Sequence, residues 1–388
     1  MTEVATIVRA LNSAYPPELA EPWDKVGLVC GDPAAEVDRV AFALDCTQEV
    51  ADQAVAAGAQ MLVVHHPLLL RGTHTVACDT PKGKILHQLI RSGVALFTAH
   101  TNADSARPGV NDKLAELLGV TPGRPIAPRP DPARPRLDHW GVHVPPADRQ
   151  AVTAALFAAG AGNLGDYAEC CFTVTGSGQF CSQPGAQPHE GEVGELYRAD
   201  EDRVEFVAKR SARAAVLAAL KSAHPYEEPA FDVVEMVQAA DLNSAPGLGR
   251  VGELAEAIRL KDFVQLVADQ LPATSWGVRA AGDPDEWIKT VAVSSGAGDS
   301  FLDAVRDLGV DCFVTSDLRH HPVDEYRRAG GPAVIDTAHW ASEFPWTSQA
   351  SEIVAAATGV ATTIITERTD PWTLSAHPRP SAASTTEN

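Results

Sequence analysis

A chain of 388 residues, 45% of them hydrophobic, is long enough for two or three domains with sizeable cores. Its formal net charge of −20 argues against a generic nucleic-acid or membrane-surface binder, and no run of about 18 apolar residues offers a membrane span. The seven cysteines are scattered without a CxxC pair, which fits reduced thiols and a cytoplasmic protein.

Val4, Ile7, Val8 and Leu11 share one face of a short first helix. Val26, Leu28 and Cys30 alternate as in a strand, and residues 39–46 read as another, with Asp45 near its end. Thr47 can cap a helix over 48–57. Residues 61–67, MLVVHHP, are an apolar, β-branched run that ends in His65 and His66 and is stopped by Pro67. A helix over 81–92, a strand over 94–99 and a helix over 109–118 follow. Repeated strand–helix units predict a mainly parallel sheet.

The stretch 122–138 carries six prolines and reads as a linker or crossing segment. After it, strands at 137–144, 171–174, 193–197, 203–208 and 230–237, with helices at 147–159 and 212–222, suggest a small α+β module of ferredoxin-like type. Residues 179–190 read as a flexible loop. The strand–helix pattern then returns. Strands are expected at 287–294, 311–315, 333–336 and 362–365, and helices at 260–270, 300–308 and 342–357. The expected organisation is two similar α/β halves, 1–125 and 246–372, forming one metal-binding domain. The inserted α+β domain covers 126–245, and a disordered tail covers 373–388.

In open α/β sheets ligands gather at the C-terminal strand ends. Here those ends carry His65, His66, His100, Asp104, His320, His321 and His339. Side chains alternate along a strand, so His65 and His66 diverge and can serve two metals, a metal and a substrate, or a hydrogen-bonded capping pair. His339 and Glu343 are four residues apart on a helix, so both can reach one centre. His65, His66, His339, Asp104 and Glu343 form a mixed nitrogen and carboxylate set. It suits zinc first, with manganese, iron or nickel as alternatives, rather than calcium. Two-metal hydrolytic sites are built from such sets.

The segments MLVVHHPLLLRG, AHTNADSARPGVND, TSDLRHH and DTAHWASE, in this order, resemble the GTP cyclohydrolase 1 type 2 family. The resemblance covers 1–125 and 245–370, and the middle region is similar to CutA and PII-like modules, with His224-Pro225-Tyr226-Glu227-Glu228-Pro229 as its marker. It implies a dinuclear metal centre on His65, His66, Asp104, His339 and Glu343, a further active-site histidine at His100, and a homo-oligomeric ring, trimer or hexamer. Family members more often carry threonine before the paired histidines and Gly-Glu in the third motif, where this chain has Val64 and Ser316-Asp317.

The expected chemistry is hydrolysis by a metal-activated water on a small molecule or nucleotide, with His100 or His320 as general acid or base. The family name implies C–N hydrolysis in GTP. Gly296 and Gly298, after a strand and before a helix, are the candidates to hold phosphates; a tight turn without ligand is the alternative. Asp45 reads as a partner of a metal-bound histidine or as a helix-capping acid. The competing reading of the whole is a non-catalytic, ring-shaped assembly that senses metal and small ligands.

Overall fold

The computed structural model describes residues 2–132, 134–236 and 242–376. The chain forms two compact units, Met1–Pro132 with Asp241–Asn388, and Ala133–Ala240. Most of the stretch expected as a tail, 377–388, lies outside the described residues.

The larger unit is built on two mixed sheets. Met61–Val64, buried at every residue, is the central strand of the first. Arg39–Ala43 and Ala95–Thr98 flank it in parallel, and Ala361–Ile364 extends the parallel set beyond Arg39–Ala43. Gly27–Cys30 closes the other edge antiparallel. Successive residues face opposite sides. Phe42, Val63 and Phe97 pack against Ile7 and Leu11 of helix Val4–Ala14 and against Trp346 and Val354. Ala41, Leu62 and Leu96 pack against helices Gln48–Ala56 and Pro81–Arg91. Thr47 caps the first of these by accepting from the Val50 N–H.

The second sheet has Trp287–Ala297, Cys312–Ser316 and Ala333–Thr337 as its parallel centre. Arg279–Ala281 lies antiparallel on one edge, and Arg250–Arg259 then Val120–Pro122 on the other. Arg250–Arg259 is a strand that periodicity missed. Its charged residues and Gly252 hide it, and pairing with Trp287–Ala297 fixes it.

The two halves are interlocked. Val120–Pro122 leaves the first half for the second sheet, and Ala361–Ile364 returns from the second half to the first sheet. The proline-rich stretch is not a free linker, because Ala127–Pro128 pairs with Gly247–Leu248. The expected long helix over 342–357 is broken at Phe344-Pro345 into His339–Glu343 and Trp346–Thr358. Residues 320–321 open a helix, His320–Arg328, that had no clear apolar stripe.

The smaller unit runs strand, helix, strand, strand, helix, strand: Leu137–Val144, Arg149–Ala158, Cys171–Cys181, Leu196–Lys209, Arg213–Ala223 and Phe231–Glu235. Leu137–Val144 pairs antiparallel with Leu196–Lys209 and with Phe231–Glu235, and Cys171–Cys181 forms the far edge. This is the split-βαβ connectivity. Trp140 stacks on Phe206 in a core with Leu156, Val216 and Leu220. The strands expected at 193–197 and 203–208 are one continuous strand, and the expected loop from 179 begins as strand. Among the described residues no helix is long and apolar enough to cross a membrane.

One buried ion pair ties the two sheets of the larger unit together. Arg250, fully buried, donates from Nε and Nη2 to the Asp112 carboxylate at 2.7 Å each. Its remaining donors reach the carbonyls of Gly247, Gly249 and Ala106 at 2.6–2.7 Å. Asp112 also accepts from the Gly109 N–H and so closes the start of helix Val110–Leu117. Replacing Arg250 by Met leaves that carboxylate buried without its bidentate partner, with only Arg107 Nε at 3.9 Å and the Gly109 N–H beside it. Urea unfolding is expected to show a loss of about 3–5 kcal/mol.

Candidate metal centre

Strand register delivers the site. Ala43 lies opposite Val64, and Val64 opposite Thr98, so Asp45, His66 and His100 each stand two residues beyond one level of the first sheet. In the second sheet Ser316 lies opposite Thr337, which brings Asp317 beside His339. Helix Val110–Leu117 joins the two edges, because Asn111 donates to the Asp104 carbonyl at 2.9 Å and accepts from the Ser295 N–H at 2.8 Å.

Each histidine is held by its Nδ1 and presents Nε2 to the centre. His65 Nδ1 donates to the Ala99 carbonyl at 2.8 Å. His66 Nδ1 donates to Asp45 at 2.7 Å, His100 Nδ1 to Asp24 at 2.8 Å, and His339 Nδ1 to Asp317 at 2.7 Å. Partners of this kind fix tautomer and ring orientation for metal binding. His65 Nε2 is fully enclosed and has no hydrogen-bond partner; it stands 3.6 Å from Asp104 Oδ1 and 3.7 Å from Glu343 Oε1. A buried lone pair facing two carboxylates fits a cation between them.

Three groups bring their donor atoms within 4.8 Å of one another: His65, His66 and His100; His66, His339 and Glu343; and His65, Asp104 and Glu343. Glu343 belongs to two of them, with Oε2 2.9 Å from His66 Nε2 and 3.1 Å from His339 Nε2. Burial opposes charge on His66, but the Glu343 and Asp45 carboxylates prevail and raise its pKa to about 10. Glu343 raises His339 to about 11 against the effect of burial. Burial pushes Glu343 upward, yet the three imidazoles around it hold it well below the carboxylate range. Burial raises Asp104. Protons on His66 and His339 thus balance carboxylates that a divalent ion would otherwise balance.

A cavity of about 800 Å³ opens over the cluster, with His66, His100, Asp104, His339 and Glu343 on its floor. That volume is in the range of small-molecule sites. Trp23 stands in its wall, 56% exposed, with its ring edge-on to His100 at 6.0 Å.

His320 and the glycine pair have other surroundings than the cluster's imidazoles. His320 lines a different cavity, of about 380 Å³, with Arg279, Leu318 and Asp336; none of its lining residues borders the cavity over the cluster. Gly296 and Gly298 do not offer free N–H groups to a phosphate. The first donates to Ser342 Oγ and the second to the Ser316 carbonyl. Gly296 instead makes room, since a Cβ there would stand 2.3 Å from Glu343 Oε1, and its φ of +61° also favours glycine.

Asp45 is a histidine partner, and capping of the following helix falls to Thr47. Asp24 and Asp317 were not foreseen. Both are single acids in turns, and only the folded register sets them behind a histidine. Asp317 adopts φ +59°, a left-handed conformation that aspartate tolerates better than most residues. His224 is a structural group: it is bonded to the His143 carbonyl and accepts from the Tyr226 N–H.

Two sheets whose strand ends bring four imidazoles and two carboxylates into one cluster make this an α/β protein with a candidate metal centre. The chain belongs to the Duf34/NIF3 (NGG1p interacting factor 3) family, whose model matches residues 2–371. It is 52% identical over 373 residues to the "GTP cyclohydrolase 1 type 2 homolog" of Mycobacterium tuberculosis, covering 96% of this chain and 97% of that one. The Bacillus subtilis protein of the same description is 36% identical, with 87% and 88% covered. Among solved structures, Staphylococcus aureus protein SA1388 superposes with a TM-score of 0.76 at 27% identity, covering 96% of this chain and 98% of that one. A Bacillus cereus protein related to NIF3 gives 0.67 at 32% identity, covering 96% and 99%.

Gly296→Ala tests the space beside Glu343. The substitution is expected to push the carboxylate off the centre and to lower divalent-ion affinity by at least about tenfold in calorimetric titration.

Proposed function

We propose that this protein binds two divalent ions and uses them to hydrolyse a bond in a nucleotide-like substrate. The observation that carries the reading is the common aim of four imidazole Nε2 atoms, each backed at Nδ1, around a carboxylate shared by two donor groups. In this reading His66, His339 and Glu343 hold one ion, and His65, Asp104 and Glu343 hold the other. Zinc suits this nitrogen-rich set first; manganese, iron or nickel are alternatives.

Bound ions would supply Lewis-acid activation of a water and of the bond under attack. His100, steadied by Asp24, stands over the centre to move a proton at its Nε2. Burial works against ionised Asp24, but His100 and Thr101 hold its carboxyl well below the usual range, so it accepts from His100 rather than donating. His65 is closed off from water, whereas the cavity exposes His66 and His100 to a ligand. The curated relatives' description points to C–N hydrolysis of the GTP cyclohydrolase kind. We place the protein in the cytoplasm as a homo-oligomeric ring, a trimer or hexamer, with the smaller unit as a CutA/PII-like insert.

A second reading, a ring that senses metal and small ligands without turnover, has one observation in its favour. The smaller unit carries its own cavity of about 610 Å³, walled by Phe180, His189, Glu201 and Tyr226.

Elemental analysis of natively purified protein is expected to find near two ions per chain, with a clear loss in His66→Ala and Glu343→Ala. Full occupancy in both variants would remove these residues from the centre. Assays against purine nucleotides separate the two readings. Turnover that falls about 100-fold or more in His100→Ala, with metal retained, supports the hydrolase. A metal-loaded chain that turns nothing over supports the sensor. Light scattering is expected to give three or six chains per particle.

A further inference from the structure

Beyond strand Ala361–Ile364 the described residues, 365–376, form no regular secondary structure, and 366–368 and 371–376 are exposed. Between these exposed stretches two side chains turn inward. Asp370 is buried, with Oδ1 accepting from the Trp372 N–H at 3.1 Å. That turn brings the Trp372 ring to 5.9 Å from Trp276. Thr369 Oγ1 donates to Asp45 Oδ2, whose other oxygen accepts from His66 Nδ1. The segment thus crosses the rear of the candidate centre. It encloses a cavity of about 180 Å³ with Asp45, Asp317 and the ring edges of His66 and His339.

A carboxylate bonded through one oxygen only can swing about its own axis, and the imidazole it holds swings with it. A donor on the second oxygen stops that motion and fixes where Nε2 points. Thr369 is such a donor for Asp45. His65 is held differently, by the backbone carbonyl of Ala99, with no residue of this segment involved. We propose that Thr369 is a positioning residue for His66, and that the strap over 369–372 sets the affinity of one ion position and not the other. The affected position is the one shared by His66, His339 and Glu343. The inference rests on the two-ion reading above.

The test is stepwise metal uptake by the full chain after stripping, using Zn(II) with calorimetry and Co(II) with its ligand-field spectrum. Wild type is expected to fill in two steps. Thr369→Val keeps the side-chain shape and removes the donor, so it should weaken one step by about 10–100-fold and leave the other unchanged. Thr369→Ser should restore the lost step, and Trp372→Ala should weaken the same one. Metal-free melting temperatures close to wild type would separate loss of positioning from loss of fold. Two unaltered steps in Thr369→Val, or equal weakening of both, would overturn the inference while leaving the two-ion reading intact. A wild-type chain that takes up no ion would overturn that reading itself, and the inference with it.

Discussion

The rest of the larger unit depends on the Arg250–Asp112 pair. A guanidinium removed from water is tolerated only when its donors are satisfied, and here they are divided between one carboxylate and three carbonyls. That geometry pins helix Val110–Leu117 against the second sheet, and only the short helix Thr101–Ser105 separates it in sequence from His100 at the end of the first sheet's strand. Asn111, next to Asp112, then spans from Asp104, in helix Thr101–Ser105, to Ser295. The donor atoms come from both sheets, so their spacing is only as fixed as this seam. A centre assembled from two sheets needs a joint that does not slide, and a fully hydrogen-bonded ion pair has a much narrower range of geometries than apolar packing alone.

On that frame the four histidines are held by two kinds of anchor. His65, the deepest, uses a backbone carbonyl, which fixes the tautomer without adding charge to an enclosed place. His66, His100 and His339, nearer the cavity, use aspartates, which orient the ring. The division follows the cost of burying charge. A carboxylate behind His65 would add one more anion to a pocket that already contains Asp104 and Glu343.

Much of this was legible in the sequence, and for identifiable reasons. MLVVHHP announces a buried strand with two histidines at its end, and the spacing of His339 and Glu343 places both on one helical turn. These are local patterns, and local patterns survive in sequence. The rest turned on non-local contacts. Arg250–Arg259 looks like a charged amphipathic segment until its pairing is known. Gly296 and Gly298 follow a strand as phosphate loops do, yet their N–H groups are already used inside the fold. His320 shares a motif with Asp317 in sequence, but it opens a helix and borders a different cavity. Asp24 becomes His100's partner only through an antiparallel edge strand that brings the two together in space.

The crossing of segments between the sheets has a consequence for how the molecule comes into being. Strand Arg39–Ala43 is made early, but its neighbour Ala361–Ile364 and the covering helix Trp346–Thr358 are made only after nearly everything else described here. Until they arrive, Phe42 and Val63 lack part of their cover and the first sheet has an open edge. Contacts so distant along the chain close slowly, because the entropy of a long loop is lost before the contact is gained. The nascent chain therefore carries an incomplete sheet through most of its synthesis, and the histidines at the tip of that sheet acquire a settled geometry among the last events of folding.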